Sequence, residues 1–249
     1  MLWDVIRRFR WTKLVSHFEE IMSCYMCEKE AKGVEHVPPR CLFPEQKDLP
    51  AGVDLRKQLI TVPACDEHNT AKSQDDEYLL HVLAINLPAN EIAKNQFLTK
   101  IMRSIDRNPR LMQQIMKNPQ AVVAVDESAG ETHHTVAVRI DDARIDSALE
   151  HIGRALYFHH FGEKWIGSVR TQPDFLLVSL DPSNAQELNE PGERMAAAAD
   201  QIFQDSPYFG ENPDVFKYQV IDGNERLEKL MRLHFYNGCR VSVFFLENG

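Results

Sequence analysis

Two pairs of potential metal ligands stand out in the first third of the chain. Cys24 and Cys27 are separated by two residues, and Cys65 and His68 have the same spacing. Thiolate and imidazole groups are ligands that zinc prefers, and a structural zinc site takes four of them in a tetrahedral arrangement. Because each pair is spaced like one half of such a site, we expect all four side chains to bind one structural zinc ion.

The cysteines have two other interpretations. A single Cys-x-x-Cys pair also occurs in redox proteins, in a strand-to-helix context with an exposed first thiol, and a cysteine that binds nothing behaves as a small hydrophobic residue. The redox interpretation gives no role to the second pair. Cys41 and Cys239 have no partner at ligand spacing, so they are interpreted as buried or incidental thiols.

A carboxylate and an imidazole lie side by side between the two ligand pairs, at Glu35 and His36. Prolines at positions 38 and 39 interrupt regular structure, so residues 34–37 are predicted to form a short strand or hairpin arm. Residues 52–62 are predicted to form a loop and then a strand. Helical spacing follows the second ligand pair, and we expect the helix to carry Asn69. The predicted order is a ββα arrangement held by metal.

These pieces together resemble a known family. A Cys-x-x-Cys pair, an acidic-His pair followed by proline, and a Cys-x-x-His pair that runs into Asn-x-x-Lys are similar to the HNH branch of the ββα-metal (His-Me finger) endonucleases, including members with a structural zinc. The resemblance covers about residues 24–80, and its specificity lies in the order and spacing of all the pieces. It implies a metal-dependent nuclease, by family habit a bacterial defence or mobile-element enzyme, with nucleic acid as its partner and DNA favoured over RNA.

The resemblance assigns roles to four residues. His36 would be the general base, for which its near-neutral pKa is suited. Glu35 and Asn69 would hold a single Mg²⁺ or Mn²⁺ through oxygen atoms. Lys72 would meet a phosphate. Phosphodiester hydrolysis needs both the base and the divalent ion.

The sequence also departs from the family pattern. The middle Asn, which helps to orient the base, has no clear counterpart, and Gln58 or Thr61 stands nearest. The last His of the pattern appears as Asn69. An alternative assignment gives His68 to the catalytic ion and leaves the zinc with three cysteines.

The same residues have purely structural interpretations. Glu35 and His36 are also compatible with a solvent-facing hairpin, and Asn69 with the N-cap of the following helix, because Asn is a preferred cap. The acidic run at residues 75–77 is interpreted as charge in the first helical turn, which the helix dipole favours.

Charge limits how the chain would bind nucleic acid. The net charge is −9 at pH 7, so general electrostatic attraction is not expected and any contact must be local. A predicted N-terminal helix over residues 1–23 has basic and aromatic side chains interleaved, although a solvated helix face is the alternative. These side chains are Arg7, Arg8, Arg10, Lys13, Trp3, Phe9 and Trp11. This segment lacks an uninterrupted apolar run, so we expect a cytoplasmic protein without membrane contact.

The rest of the chain predicts helices first and then a mixed segment. Residues 92–105 and 110–117 have helical spacing and are separated by Asn108-Pro109. Beyond them, the dipeptide Asn237-Gly238 indicates a hairpin turn, and Gly162 indicates a helix end. Predicted strands cover residues 121–125, 135–140, 175–180, 215–221, 231–236 and 240–246. Predicted helices cover residues 144–160 and 194–203.

The sequence therefore predicts an α+β protein with a mostly antiparallel C-terminal sheet. Its predicted parts are the N-terminal helix at 1–23, a zinc-bound HNH-like module at 24–88, a helical linker at 89–118 and an α+β domain at 119–249. The last part would bind substrate, a protein partner or a second copy. The predicted function is a metal-dependent endonuclease, and the alternative is a catalytically decayed zinc-binding module that acts as a nucleic-acid or protein adaptor.

Overall fold

The computed structural model describes residues 22–126, 130–224 and 227–247. The predicted N-terminal helix and its basic patch at Arg7, Arg8, Arg10 and Lys13 lie outside the described residues, apart from positions 22 and 23. The described part is a mixed α+β structure with a five-stranded antiparallel sheet, as the sequence predicts. No helix in these ranges has the length and apolar character needed to cross a bilayer.

The elements follow in chain order. The strands are β1 (Gly33–Val37), β2 (Ile60–Ala64), β3 (Gln120–Asp126), β4 (Glu131–Ala137), β5 (Ser168–Pro173), β6 (Phe209–Asn212), β7 (Phe216–Asn224), β8 (Leu227–Phe235) and β9 (Cys239–Leu246). The helices are α1 (Ser73–Ala84), α2 (Glu91–Gln96), α3 (Met102–Arg107), α4 (Arg110–Ile115), α5 (Asp142–Phe161) and α6 (Ala185–Phe203). A π-helical turn (Phe97–Ile101) joins α2 to α3, and short 3₁₀ turns occupy Arg40–Leu42 and Gln46–Asp48.

A hairpin and one helix form the N-terminal part. Strands β1 and β2 pair antiparallel, and the alternation along β1 buries Glu35 and Val37 while it exposes Val34. Helix α1 begins at Ser73 and buries most of its length from Asp76 to Ala84. The predicted order of two strands and a helix is observed. Asn69, however, lies in the turns before α1 rather than on it, because backbone bonds such as His68 N–H to Cys65 C=O close tight turns there.

The five-stranded sheet has the order β5-β9-β8-β7-β6, and every neighbouring pair is antiparallel. Its two faces carry different helices. Val243 and Phe245 of β9 approach Gly153 of α5, whereas Phe244 packs with the small cluster formed by Phe203 of α6 and its neighbours. Because alternate residues of a strand face opposite sides, this single strand supplies the core on both faces of the sheet.

One hydrophobic core runs from Cys24 to Phe245 and includes residues of both the hairpin and the sheet. Helix α5 lies between them and contacts α1, β1 and β2. Polar contacts strengthen the connection, since Lys164 Nζ donates to the carbonyl of Cys27 over 2.8 Å, and the Asp141 N–H donates to the Tyr78 hydroxyl over 2.8 Å. The division of the chain into separate parts stays a prediction.

Some sequence-based boundaries were wrong. Residues 175–180 form no strand, and the edge strand β5 ends at Pro173 instead. The N–H groups of Val178 and Ser179 donate to Asn189 Oδ1, which satisfies the backbone without a strand partner. Helix α6 begins at Ala185, well before the predicted start at 194, and it contains Pro191. The helix predicted over residues 144–160 is confirmed, with Gly162 in the left-handed conformation at its end.

The hairpin between β8 and β9 is also confirmed. Its left-handed residues are Tyr236 (φ 48°) and Asn237 (φ 61°), so the loop differs from a two-residue turn centred on Asn237-Gly238. Position 238 requires a glycine because of a close backbone contact and not because of its own backbone conformation. A Cβ atom at this position would lie 1.7 Å from the carbonyl oxygen of Pro88, so the loop before α2 packs directly against the glycine.

We expect Gly238→Ala to lower the free energy of unfolding by about 2 kcal/mol or more, because the added methyl group must push the Pro88 backbone away. Urea denaturation followed by circular dichroism would measure this loss. Gly192→Ala is the matched control, since its Cβ meets only Gln172 Nε2 at 3.7 Å inside α6; there we expect no loss, or a gain of up to about 1 kcal/mol. Equal effects at the two positions would contradict the expected clash.

Candidate metal centre and adjoining cavity

The two ligand pairs of the sequence meet in space. The ligand atoms of the four side chains all lie within 4.8 Å of one another. We call this group the Cys3His cluster; it consists of Cys24, Cys27, Cys65 and His68. The cluster brings together ligands that are 38 to 44 positions apart along the chain, and these side chains could hold one metal ion.

Distances within the Cys3His cluster match those of a tetrahedral site. Cys27 Sγ lies 3.8 Å from Cys65 Sγ, and His68 Nδ1 lies 3.4 Å from the Sγ atoms of both Cys24 and Cys65. A tetrahedron with metal–sulfur bonds of about 2.3 Å and metal–nitrogen bonds of about 2.0 Å has edges of about 3.8 and 3.5 Å. These three distances therefore match the edges of a tetrahedral zinc site.

His68 joins the three cysteines rather than the cavity beside them. Its ring lies between two aromatic neighbours, with ring centroids 6.2 Å from Tyr25 and 5.8 Å from His151 of α5. Burial lowers the pKa of His68, and the nearby His151 adds to this effect. A lowered pKa favours the neutral imidazole, which is the form that binds metals. The sequence leaves open whether His68 binds the zinc ion or the catalytic ion. This geometry favours His68 as the fourth ligand of the Cys3His cluster.

Backbone hydrogen bonds hold the first ligand pair against β2. The N–H of Cys24 donates to the carbonyl of Lys29 over 2.9 Å, which closes a tight loop around the pair. The N–H of Tyr25 donates to the carbonyl of Pro63 over 2.8 Å, one residue before β2 ends. Because Cys65 follows directly after β2, this hydrogen bond holds the two ligand pairs close together even without a bound metal ion.

A cavity of about 350 Å³ lies between β1 and the start of α1, and its wall includes Asn69, the residue that follows His68 of the cluster. We call it the β1–α1 cavity. The residues of its wall that carry chemistry are Glu35, His36, Arg40, Asn69 and Asp76. Three of the four residues to which the resemblance gives a role, Glu35, His36 and Asn69, therefore line one cavity, and Lys72 is bonded to one of them.

Lys72 forms a buried ion-pair cluster with two acidic residues. Its ammonium Nζ lies 2.7 Å from Glu35 Oε1 and 2.6 Å from Asp76 Oδ2. The exposed fractions of these side chains are 6% for Lys72, 9% for Glu35 and 10% for Asp76. Burial raises the pKa of Glu35 and of Asp76, although the Lys72 ammonium opposes this shift. The alternative interpretation of Glu35 as a solvent-facing hairpin residue is thus wrong, because its carboxylate pairs with Lys72 inside the fold.

His36 occupies a different environment at the edge of this cavity. Burial lowers its pKa, and the positive charges of Arg40 and Arg56 lower it further. A lowered pKa keeps the imidazole neutral near pH 7, as a general base requires. Of the two candidates for the orienting Asn position, Thr61 is the backbone partner of His36, whereas Gln58 lies in a left-handed conformation outside β2. In the described ranges, no side chain forms a hydrogen bond with the His36 ring.

Asn69 connects the turn before α1 to β1. Its amide Nδ2 donates to the carbonyl of Val34 over 3.2 Å, so it does not cap α1, and the residue before that helix is Lys72. The hydrogen bond uses only the donor side of the amide. Within the described residues the carbonyl oxygen of Asn69 has no partner, and it is the atom through which an amide side chain binds a divalent cation.

A larger groove of about 730 Å³ lies on the other side of the first turn of α1. Ser73 and Asp76 line the β1–α1 cavity, whereas Gln74 and Glu77 line this groove. The first turn of α1 therefore forms a wall between the cavity and the groove. We call it the α1–α4 groove. Three basic side chains line it, namely Arg107 of α3, Lys117 after the end of α4, and Arg144 of α5.

The α1–α4 groove is lined partly by a basic segment of this acidic chain. Residues 89–118 contain six Lys or Arg and only two Asp or Glu, while the whole chain carries a charge of −9. Arg144 is fixed by Asp75 and by the ring of Tyr78, but the side chains of Arg107 and Lys117 are exposed. The sequence analysis predicted only a linking role for this segment. Its excess of basic residues was the available signal for a binding surface.

Sequence reasoning also missed Asp76 as a member of the cavity. It interpreted residues 75–77 as first-turn charge, and Asp75 and Asp76 do lie in the first turn of α1. The spacing of four residues between Lys72 and Asp76 was the available signal, because such residues face each other on a helix. Burial of the pair depends on the packing of β1 over α1, which the spacing does not show.

Comparison with known proteins adds no family assignment. No protein-family model, curated protein or solved structure matches this chain. The class defined here is therefore structural: a mixed α+β protein with a candidate Cys3His metal centre next to a cavity lined by carboxylate and imidazole groups.

We expect Cys27→Ser to lose the bound metal ion and to become sensitive to proteolysis, because a metal ion held by four ligands contributes its binding free energy to folding. Elemental analysis of purified protein should show about one metal ion per chain for the unaltered protein and a small fraction of that for the variant. Cys41→Ser is the control, since Cys41 lies outside the Cys3His cluster. Equal metal content in all three proteins would rule out this site.

Proposed function

We propose that the protein is a metal-dependent HNH-like endonuclease that hydrolyses phosphodiester bonds in nucleic acid, DNA in preference to RNA. The observation that carries the proposal is the meeting of Glu35, His36 and Asn69 in one cavity beside the Cys3His cluster. Glu35 and Asn69 are 34 positions apart in the sequence, and the resemblance assigns a role to each of the three residues independently of their proximity in space. The proposed biological setting is bacterial defence or a mobile element.

Zinc is the proposed metal of the Cys3His cluster. Three thiolates and one imidazole form a soft donor set, which selects zinc over magnesium or calcium. All four positions of a tetrahedron are filled by protein, so the site is closed to substrate and has a structural role. Its proposed function is to hold β1 and the turn with Asn69 in place.

The β1–α1 cavity supplies the proposed catalytic groups. A bound Mg²⁺ or Mn²⁺ would neutralise negative charge that develops on the phosphate. Glu35 and Asn69 fit such a hard cation, because the one offers carboxylate oxygens and the other an amide oxygen without a protein partner. His36 would remove a proton from the attacking water, and its lowered pKa keeps it ready to accept one. Arg40 in the cavity wall would attract the phosphate.

The α1–α4 groove is the proposed path of the nucleic-acid strand. Its exposed Arg107 and Lys117 provide the local positive charge that an acidic chain needs for phosphate binding. The groove and the β1–α1 cavity share the first turn of α1, so a strand held in the groove passes within reach of the cavity.

A second candidate function is a catalytically inactive adaptor with the same zinc centre. Two observations favour it. No described side chain orients the His36 ring, and the Glu35 carboxylate is already paired with Lys72. In this alternative the module binds nucleic acid or a protein partner without cleaving it, and the C-terminal sheet provides further contacts.

A cleavage assay separates the two functions. We expect the purified protein to cleave supercoiled plasmid, single-stranded DNA or RNA in the presence of Mg²⁺ or Mn²⁺, and His36→Ala to reduce the rate by about 100-fold or more, since general-base catalysis contributes that much. His134→Ala is the matched control, because His134 is an exposed histidine of β4 outside the cavity. No cleavage by the unaltered protein, or equal rates for His36→Ala, would refute the nuclease proposal.

We expect the double variant Arg107→Glu/Lys117→Glu to weaken nucleic-acid binding by about tenfold or more and to reduce its salt dependence, because two phosphate contacts are lost. Fluorescence anisotropy with a labelled duplex at several salt concentrations would measure both effects. The control, Arg170→Glu/Arg194→Glu, changes net charge equally at two exposed positions outside the groove. A similar loss in both double variants would attribute binding to net charge and not to the groove.

A further inference from the structure

The buried ion-pair cluster at the β1–α1 cavity has an imbalance of charge. Two carboxylates, Glu35 and Asp76, share the single ammonium group of Lys72, so the three side chains carry a net charge of −1 when ionised. All three side chains are at least nine-tenths buried. Burying an uncompensated charge is costly unless a further partner is present.

One carboxylate oxygen of this cluster has no partner at all. Asp76 Oδ1 is buried and makes no hydrogen bond within the described structure, while Oδ2 of the same group pairs with Lys72. Buried polar atoms are nearly always satisfied, so an unpaired oxygen in a native fold calls for a ligand, which an ion or an ordered water molecule can provide. Asp76 lines the same cavity as Glu35 and Asn69, which makes the cavity the place where that ligand would sit.

We propose that Glu35 and Asp76 are the two carboxylate ligands of a divalent-cation site, and that the Lys72 ammonium is an internal counter-ion which the incoming cation displaces. An ammonium group 2.7 and 2.6 Å from two carboxylate oxygens occupies the position in which a cation would be bound by both. Asp76 thereby joins Glu35 and Asn69 as an oxygen ligand. Displaced from the carboxylates, Lys72 is free to bind a substrate phosphate.

The use of this site in catalysis rests on the proposed nuclease function, but its existence does not. A divalent cation must break two buried ion pairs of Lys72 before it binds both carboxylates, so the affinity of the unaltered protein is reduced by its own lysine. Removal of the ammonium group leaves two neighbouring carboxylates whose charge a divalent cation can compensate in competition with protons alone. The site is thus expected to bind more tightly when Lys72 is replaced by a neutral residue.

Mn²⁺ is the probe for the test, with the full chain loaded with zinc beforehand so that the Cys3His cluster is filled. We expect Lys72→Met to bind one Mn²⁺ ion about tenfold or more tightly than the unaltered protein, because the competing unit charge is gone. Titration calorimetry and the electron paramagnetic resonance signal of free Mn²⁺ would measure the affinity. The melting temperature of this variant should also rise more on Mn²⁺ addition than that of the unaltered protein.

Two controls identify the ligands. Lys32→Met removes an exposed lysine that pairs with Asp66, and we expect it to leave Mn²⁺ affinity unchanged. The double variant Lys72→Met/Asp76→Asn should lose the gain. If Lys72→Met fails to fold, Asp76→Asn in the unaltered background replaces it: this change should weaken Mn²⁺ binding about tenfold, whereas Asp75→Asn, whose carboxylate pairs with Arg144, should not.

The outcomes distinguish this site from the nuclease proposal. Equal Mn²⁺ affinity for the unaltered protein and Lys72→Met, or a gain that persists in the double variant, would overturn the site whether or not the protein cleaves nucleic acid. The expected pattern of affinities in a protein that cleaves nothing would support the site and reject the nuclease function alone. If Asp76→Asn and Asp75→Asn weaken Mn²⁺ binding equally, Asp76 is not a ligand.

Discussion

The Cys3His cluster is the constraint on which the N-terminal part depends. It joins a short loop before β1 to the turn after β2, and its ligands are 38 to 44 positions apart. Between these ends the chain contains one hairpin and two short 3₁₀ turns, which offer little hydrophobic area of their own. A two-stranded hairpin is only marginally stable alone. Four ligands around one bound ion would therefore supply a cross-link that the small hairpin does not provide by itself.

The same arrangement explains how charged groups are kept inside the fold. Glu35 faces α1 because Val37, two residues later on the same face of β1, belongs to the core. Its carboxylate would be destabilising there without Lys72, which reaches it from the residue before α1. Replacing such a buried ion pair by apolar residues often costs no stability. Three ionisable groups at this buried position therefore fit a role in binding better than a role in stability.

Local sequence patterns predicted the parts of this structure that depend on near neighbours. The two ligand pairs, the end of α5 at Gly162 and the β8–β9 hairpin each follow from residues a few positions apart. The order of two strands and a helix also followed from such patterns. What they could not show was that Lys72 bonds to Glu35, since 37 positions separate them and only the packing of β1 over α1 brings them together.

The edge of the C-terminal sheet was mispredicted for a similar reason. Residues 175–180 have strand-like composition, yet Asn189 of α6 satisfies two of their N–H groups and β5 pairs with β9 instead. Tertiary contacts overrode local preference there. The HNH resemblance itself remains a hypothesis about function, because no family model matches the chain.

The acidic charge of the chain and a nucleic-acid substrate are compatible once charge is considered locally. Coulombic attraction between exposed groups is screened beyond about 10 Å at an ionic strength of about 0.1 M, so a phosphate in the α1–α4 groove would experience Arg107 and Lys117 far more than distant carboxylates. The cavity beyond the first turn of α1 is different, because two carboxylates there repel phosphate until a cation neutralises them. A divalent ion in the cavity would therefore have two roles, one in the hydrolysis and one in reducing the repulsion between the carboxylates and the substrate phosphate. With the ion bound, a strand held in the basic groove could place a phosphate in the otherwise acidic cavity.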